Sequence, residues 1–304
     1  MNAKQLSIIF VALCQTALAE TPSPDTAAHA VASQPAAPQA APAPFVKDPR
    51  YWPTPVMDTQ PPVLPKLTRH PTVLIFSKTN GYRDDDQNKA AIAAVSELIT
   101  QKKWDVFATE NAATFDPKQL KKFDIIVLNS ISGDVFLPEQ REAFKNWIEA
   151  GGGVVALHGS GGDHHYDWQW YVDVLLGAQF IGHTYSPQFQ PGVIHIVDNT
   201  HPAMRNLPNE WQRTEEWYAF DRVPTGFHTH ILATLDENSY HPIPQQVMGT
   251  HPLIWTRCIG NGRVFFSALG HKAETYSEPL HLKMIAGALD WAALAHKTKC
   301  DVVK

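Results

Sequence analysis

The sequence predicts an α/β fold in which an open, mainly parallel sheet carries helices on both faces. Three short, mostly apolar runs, at Thr72–Phe76, Asp124–Leu128 and Val154–Leu157, have the composition of strands that are covered on both faces. Segments with helical spacing of apolar residues separate these runs, and such an alternation is typical of a parallel sheet. The 304 residues suffice for one large domain or two small ones.

The elements between the first three runs can be placed in order. A helix is predicted over Gln87–Lys102, where apolar residues recur along one helical face. A second strand is predicted over Trp104–Ala108. Another helix is expected to begin after Asp116, because Asp is a favoured N-cap residue and Pro117 suits the first helical position.

The later elements are predicted by the same patterns. A helix over Pro138–Ala150 ends at the glycines of residues 151–153, since glycine favours helix C-termini. A shorter helix is predicted over Trp170–Leu176, and a closing helix over Pro279–Ala295. Apolar runs predict four more strands: Val193–Val197, His230–Leu235, Leu253–Thr256 and Val264–Ala268.

The N-terminal segment predicts export. Residues 1–19 combine Lys4, a short apolar stretch and a small-x-small cleavage site, which is the pattern of a secretory signal peptide. Residues 20–70 are expected to form an Ala/Pro-rich linker and an extended arm, followed by the folded domain at 71–298. The mature chain is therefore expected in the periplasm or outside the cell. There Cys258 and Cys300 either pair or remain separate thiols.

Composition argues against two classes of partner. Lys and Arg total 25 and Asp and Glu total 30, so the chain lacks the positive charge on which nucleic-acid affinity depends. The mature sequence has no apolar run of about 20 residues, so we expect no membrane insertion. Dinucleotide-binding and phosphate-loop motifs are also missing from the sequence.

Polar residues follow two buried strands at the edge where active sites of such sheets lie. His158 ends the run of residues 153–157 and is followed by Gly159, which is the pattern of an elbow that presents one side chain. His271 follows Gly270 after another strand and is expected on the same rim. Alternatively, His158 closes the strand and bonds only to the turn backbone.

Two further clusters have side chains that suit sugar recognition. Lys78, Tyr82 and Arg83 follow the first strand and are expected to orient hydroxyl groups, unless this is a solvated loop. Glu216 is expected to point into the site, because neighbouring residues of a strand face opposite ways. Two aromatic residues beside it are expected to stack on a sugar ring: Trp217 and Tyr218.

The 15 histidines also suggest a metal site. His158, His183 and His271 are candidate ligands from separate strand ends for one divalent ion whose identity is open. His164 and His165, together with Trp168 and Trp170, are a candidate lid over the site.

These clusters, in this order, resemble the trehalose-utilisation ThuA-like family. The matching stretches are residues 76–79, 81–83, 153–158, 177–183, 201–202, 215–218 and 262–271. The resemblance implies a class I glutamine amidotransferase-like fold, which is a flavodoxin-like three-layer sandwich. It also implies a role in the catabolism of sugars, notably trehalose and oxidised 3-keto sugars.

The sequence departs from the family pattern at two positions. The family usually has His after the arginine of its first motif, whereas Asp84 follows Arg83 here, so any metal- or substrate-binding role of that histidine is lost or passes to an aspartate. The family elbow usually reads Leu-His-Ala, whereas Gly159 and Ser160 follow the histidine here. Glutaminases of this fold carry a nucleophilic cysteine where His158 stands, so the sequence argues against glutamine hydrolysis.

We interpret the chain as an exported enzyme that acts on a keto sugar or glycoside by acid–base chemistry, with or without a metal. Glu216 would be the base or acid, and His158 and His271 would polarise an oxygen. The alternative is a non-catalytic sugar-binding module on an amidotransferase-like scaffold, because histidine and aromatic side chains serve binding as well as catalysis.

Overall fold

A computed structural model describes residues 46–163 and 167–295, together with Thr298 and Cys300. The predicted signal peptide, residues 20–45 of the predicted linker and His164 and His165 of the predicted lid lie outside the described residues. The part of the chain that is described contains no helix long and apolar enough to cross a membrane.

The elements follow the predicted order, with boundaries that shift by a few residues. The helices are α1 (Asp85–Gln101), α2 (Pro117–Leu120), α3 (Pro138–Glu149) and α4 (Pro279–Ala292). The strands are β1 (Thr72–Phe76), β2 (Asp105–Thr109), β3 (Ile125–Asn129), β4 (Gly153–Leu157), β5 (Phe180–His183), β6 (Gln190–Ile196), β7 (Glu210–Glu215), β8 (Tyr218–Phe220), β9 (His230–Leu235), β10 (Pro252–Ile259) and β11 (Gly262–Ser267). The helix predicted at residues 170–176 is a π-helical segment, Tyr171–Leu176.

Nine strands form one sheet in the order β2-β1-β3-β4-β11-β10-β9-β6-β7. Strands β2, β1, β3, β4 and β11 pair in parallel, as the alternation of strands and helices predicts. The side chains of β1, β3 and β4 are buried along their whole length, which confirms that both faces are covered. The fold is therefore the predicted α/β sandwich, and its parallel core places the ends of β1, β3, β4 and β11 at one edge.

The other half of the sheet is antiparallel. Strands β10 and β11 are joined by the two residues Gly260 and Asn261, where Gly260 has a φ of 59°. A two-residue turn with left-handed backbone is the usual connection of an antiparallel hairpin. The sequence pattern does not predict β5, β7 or β8, because β5 and β8 are short and β7 alternates polar with buried residues.

A disulfide joins Cys258 of β10 to Cys300, with 5.6 Å between their Cα atoms. It ties the end of the described chain to the sheet. Of the two alternatives that the sequence left open, the structure has the pair.

Candidate functional site

A cavity of about 570 Å³ opens at the carboxyl ends of the parallel strands. Ligands of open α/β sheets bind in this position because the strand ends and their loops form a crevice there. Residues that follow parallel strands line one part of the cavity: Tyr82, Ser130, His158 and His271. Residues on or beside β5 and β8 line another part: His183, Glu216 and Tyr218.

His158 stands at a strained elbow. It follows β4 directly and begins a short 3₁₀ turn, with a φ of 44°. A non-glycine residue adopts this left-handed conformation at a cost of roughly 1–2 kcal/mol, and such strain concentrates at functional sites. Gly159 comes next because a Cβ at that position would lie 3.1 Å from Cα of Ser130. The strained backbone at this position therefore presents the His158 side chain at the edge of the sheet.

The side chains of His158, Glu216 and His271 meet in this cavity, and we call them the His–Glu–His cluster. Nε2 of His158 lies 3.2 Å from Nδ1 of His271 and 3.7 Å from Oε2 of Glu216. Nδ1 of His271 lies 3.0 Å from the same carboxylate oxygen. His158 is 4% exposed and Glu216 is 3% exposed, so the cluster lies deep in the cavity.

The hydrogen-bond partners indicate where the protons of the cluster are. Nδ1 of His158 donates to the carbonyl of Ala268 at 2.9 Å, so Nε2 carries the lone pair and accepts from the Tyr218 hydroxyl at 2.9 Å. Nδ1 of His271 donates to the Glu216 carboxylate, which only accepts. His158 is thus a neutral acceptor beside a proton-holding imidazole.

The pKa values of the cluster agree with this arrangement. Burial lowers the pKa of His158 to about 3. Burial alone would raise the pKa of Glu216, but the hydrogen bond from His271 and the nearby imidazoles outweigh it and lower the pKa to about 2. Burial acts to lower the pKa of His271, but the Glu216 carboxylate outweighs it and raises the pKa. The cluster therefore pairs an acid, His271, with a carboxylate and a neutral imidazole.

The second oxygen of Glu216 is also held. Gln188 Nε2 donates to Oε1 at 2.6 Å, and His183 Nδ1 lies 3.2 Å from it while contacting the Thr184 carbonyl at 2.7 Å. His183 therefore lies beside the cluster and lines the cavity, but it does not share the point where the other histidines meet.

Only one of the two adjacent glutamates faces the cavity, as predicted, although β7 ends at Glu215 and Glu216 lies in the short link to β8. Glu215 is 1% exposed and points the other way. Its oxygens accept from the backbone N–H groups of Glu216 and Gly270 and from the Arg213 guanidinium. Glu215 thereby joins the two chain segments that carry Glu216 and His271.

Lys78 and Arg83 lie outside the cavity lining, so the prediction that they orient sugar hydroxyls is wrong. The Lys78 ammonium binds Asp58 at 2.7 Å and is 9% exposed. The Arg83 guanidinium binds both oxygens of Glu110, at 2.9 and 2.8 Å, as well as Asp85. Each cation is engaged by carboxylates of this chain, and only Tyr82 of the predicted trio lines the cavity.

Trp217 is also placed differently from the prediction. It is 1% exposed, and its indole N–H donates to the Gln190 carbonyl at 2.9 Å, so it belongs to the core and cannot stack on a ligand. Its neighbour Tyr218 does line the cavity. Of the predicted lid, Trp168 and Trp170 stack on each other at 5.2 Å and Trp168 packs against Phe136, away from the lining.

Several lining residues were not predicted from the sequence. Trp52 reaches the cavity from the N-terminal arm, and Tyr185 and Gln188 come from the loop after β5. Asp84, at the position where the family usually has His, lines the cavity and caps α1 by accepting from the Gln87 N–H at 2.9 Å. The N-cap pattern at Asp84 was readable from sequence, whereas nothing in the sequence brings Trp52 to this place.

The His–Glu–His cluster has the donors and spacing of a divalent metal site. Donor atoms bound to one ion at about 2.1 Å lie about 3.0 Å apart at right angles and about 3.4 Å apart at the tetrahedral angle. The observed separations of 3.0, 3.2 and 3.7 Å fall around these values. Among the described residues the three convergent atoms come from His158, Glu216 and His271, so Glu216 replaces His183 in the predicted ligand set.

Comparison with known proteins agrees with this fold. The family model ThuA, described as trehalose utilisation, matches residues 72–292. A putative ThuA-like protein from Bacteroides uniformis is 22% identical with a TM-score of 0.64, and the match covers 77% of this chain and 95% of that one. One from Parabacteroides merdae is 19% identical with a TM-score of 0.53, covering 73% and 89%. These two likenesses show the fold, and no curated protein matches the chain.

Proposed function

The chain belongs to the ThuA family, and from this premise we propose that it acts on a keto sugar or glycoside by acid–base chemistry. Membership of the family implies a role related to trehalose utilisation. The observation that carries the proposal is the meeting of His158, Glu216 and His271 at the base of a cavity of about 570 Å³. Cavities of about 300–1,000 Å³ with a few convergent polar groups are typical of small-molecule sites.

The proton inventory supports a division of roles. His271 holds a proton against Glu216 and can donate it to a carbonyl or leaving-group oxygen, after which Glu216 or the Nε2 lone pair of His158 accepts a proton from the sugar or from water. A buried carboxylate and a neutral imidazole a few ångströms from an acid provide both halves of such a transfer. The Tyr218 hydroxyl donates to that lone pair at 2.9 Å.

The test is a panel of ordinary and 3-keto disaccharides and monosaccharides, with products followed by NMR. We expect turnover of at least one keto sugar by the wild-type protein. His158→Asn should lower the rate by about a hundredfold or more, since a positioned acid or base contributes roughly 10²–10⁴-fold. Asparagine tolerates the left-handed backbone of this position, so the variant leaves the elbow intact. Sugar binding without turnover would instead favour a non-catalytic binding module.

We also propose that the His–Glu–His cluster can bind one divalent first-row ion in place of the proton that His271 shares with Glu216. Nδ1 of His271 would then be deprotonated, because an ion binds the neutral imidazole, and the ion rather than His271 would polarise the sugar oxygen. Two imidazoles and a carboxylate are a ligand set that zinc and iron enzymes use, and such an ion would act as a Lewis acid toward a sugar oxygen. The outer contacts are already in place, because His158 donates its other N–H to Ala268 and Gln188 holds the second oxygen of Glu216.

Calorimetric titration with Zn²⁺ and elemental analysis test the ion site without reference to activity. We expect one ion per chain, lost in Glu216→Gln and retained in His183→Asn. A chelator should lower the melting temperature, because an ion at a hundred times its Kd stabilises the fold by about 2.7 kcal/mol. Equal ion content in wild type and Glu216→Gln would overturn the site.

Export remains part of the proposal. The disulfide between Cys258 and Cys300 supports it, because disulfides persist in oxidising compartments. N-terminal sequencing of the protein from fractionated cells is the test. Periplasmic or secreted protein that begins after residue 19 is expected, and cytoplasmic protein that keeps residues 1–19 would contradict export.

A further inference from the structure

The N-terminal arm, residues 46–71, lies before the segment that the family model matches and yet contributes to the cavity wall. Its Trp52 lines the cavity together with Tyr82, and the two rings meet edge to face with 5.8 Å between centroids. Tyr185 is a third aromatic side chain of the lining. The wall thus includes a residue that the family domain alone does not supply.

The arm is fixed to the domain around Trp52. Oδ2 of Asp58 accepts from the Lys78 ammonium at 2.7 Å and from the Ala112 N–H at 2.9 Å, and the Asp58 carbonyl accepts from Gln140 at 2.7 Å. On the N-terminal side of Trp52, the backbone N–H of Arg83 donates to the Tyr51 carbonyl at 2.8 Å.

A third contact lies between these two along the arm. Asn80 forms a pair of hydrogen bonds with the backbone of Val56, both at 3.1 Å. The loop of residues 78–83, which the sequence suggested as a sugar-binding cluster, is therefore largely a dock for the arm. Because Trp52 is held before any ligand arrives, a ligand need not order it on binding.

Exposure changes along the cavity. His158 and Glu216 are 4% and 3% exposed, whereas Tyr82 is 41% and Tyr185 is 66% exposed. The reacting groups therefore lie deep, together with Tyr218, which is 5% exposed, whereas Tyr82 and Tyr185 lie toward the opening. Aromatic faces provide apolar area with fixed geometry, which suits the C–H face of a pyranose ring.

We propose that Trp52, with Tyr82, forms a subsite for the second sugar ring of a disaccharide whose reacting ring lies at the His–Glu–His cluster. The proposal rests on the proposed function for its ligand class, since it takes the ligand to be a sugar. It makes the arm a determinant of specificity for disaccharides over monosaccharides.

Calorimetric binding of trehalose, its 3-keto form, glucose and 3-ketoglucose tests the subsite. Trp52→Ala should weaken binding of the disaccharides about tenfold and leave the monosaccharides within twofold, whereas Trp52→Phe should stay within threefold for all four. Val63→Ala is the control: Val63 belongs to the same arm, is 95% exposed and lies outside the cavity lining, so binding should stay within twofold.

Lys78→Met tests the dock separately, because it removes the cation that holds Asp58. It should reproduce the loss of disaccharide binding seen with Trp52→Ala. Unchanged disaccharide binding in Trp52→Ala, or an equal loss for monosaccharides and disaccharides, would overturn the subsite. Unchanged binding in Lys78→Met would overturn the role of the dock.

The same data separate this proposal from the proposed function. A wild-type protein that binds disaccharides through Trp52 but converts none of the sugars would refute the acid–base function and leave the subsite standing. A wild-type protein that converts a keto sugar, with Trp52→Ala binding disaccharides as the wild type does, would refute the subsite alone. If the wild-type protein binds none of the four sugars, both the subsite and the assignment of a sugar as its ligand are refuted.

Discussion

Replacing Glu215 with glutamine is expected to destabilise the fold and disturb the site together. The Glu215 carboxylate accepts hydrogen bonds from the Glu216 N–H at 3.1 Å, the Gly270 N–H at 3.2 Å and the Arg213 guanidinium at 2.8 Å. It is buried between the two segments that carry Glu216 and His271. Loss of its charge therefore acts on both segments.

The size of the effect follows from these contacts. Glutamine has one acceptor oxygen, so if it keeps the bonds from Gly270 and Arg213, its amide N–H₂ faces the Glu216 N–H. The Arg213 side chain is 3% exposed and would retain Glu278, at 3.3 Å, as a carboxylate partner. Because Arg213 keeps this partner, the cost of about 3–5 kcal/mol for an unpaired buried charge is not reached. Loss of one charge-assisted hydrogen bond, with the buried Glu216 N–H left facing an N–H₂ group, costs about 1–3 kcal/mol, and we expect the free energy of unfolding to fall by that amount.

Urea unfolding of the wild type and of Glu215→Gln measures this difference. Glu210→Gln is the matched control, because Glu210 lies on the same strand and its side chain is 66% exposed. The control should change the free energy of unfolding by less than about 0.5 kcal/mol. A loss below about 1 kcal/mol in Glu215→Gln, or one no larger than in the control, would refute the reasoning.

Two other predictions concern stability. Reducing the bond between Cys258 and Cys300, which spans 42 residues, should lower the free energy of unfolding by about 4 kcal/mol on a chain-entropy basis, and urea curves that coincide with and without reductant would contradict it. Burial lowers the pKa of His201 to about 4, whereas the pKa in the unfolded chain is about 6.5. Between these two pH values the unfolded state binds a proton and the folded state does not. The stability conferred by neutral His201 is present above pH 6.5 and falls by about 2 kcal/mol on going to pH 5. In His201→Gln the free energy of unfolding should fall by about 2 kcal/mol less on going to pH 5 than it does in the wild type. The control His241→Gln, at an exposed site, should show the same fall as the wild type. Parallel pH profiles of stability for the wild type and His201→Gln would show that His201 does not cause this fall.

The parallel half of the fold was readable from sequence because its strands are local. Each of β1, β3 and β4 is a short apolar run whose burial on both faces leaves an unmistakable composition. The antiparallel half was harder, since β7 carries polar residues at alternate positions and its partners are chosen by the tertiary fold. The Gly260-Asn261 turn between β10 and β11 is a local signal of an antiparallel hairpin.

The site was partly predictable for the same reason. His158 and His271 follow strands that end at one sheet edge, so their meeting follows from topology. The ion-pair partners of Lys78 and Arg83 cannot be predicted from the strand order. Lys78 pairs with Asp58 and Arg83 with Glu110, and both carboxylates come from segments whose positions only the folded chain defines. Trp52 escaped prediction because its place depends on how the arm docks.

The most direct test of the central claim compares turnover and binding in Glu216→Gln. With the 3-keto disaccharide that the wild type converts fastest, we predict that kcat falls by roughly 10²–10⁴-fold while Kd changes less than tenfold. His241→Gln should behave as the wild type does. Wild-type turnover by Glu216→Gln would contradict the assignment of acid–base chemistry to the His–Glu–His cluster.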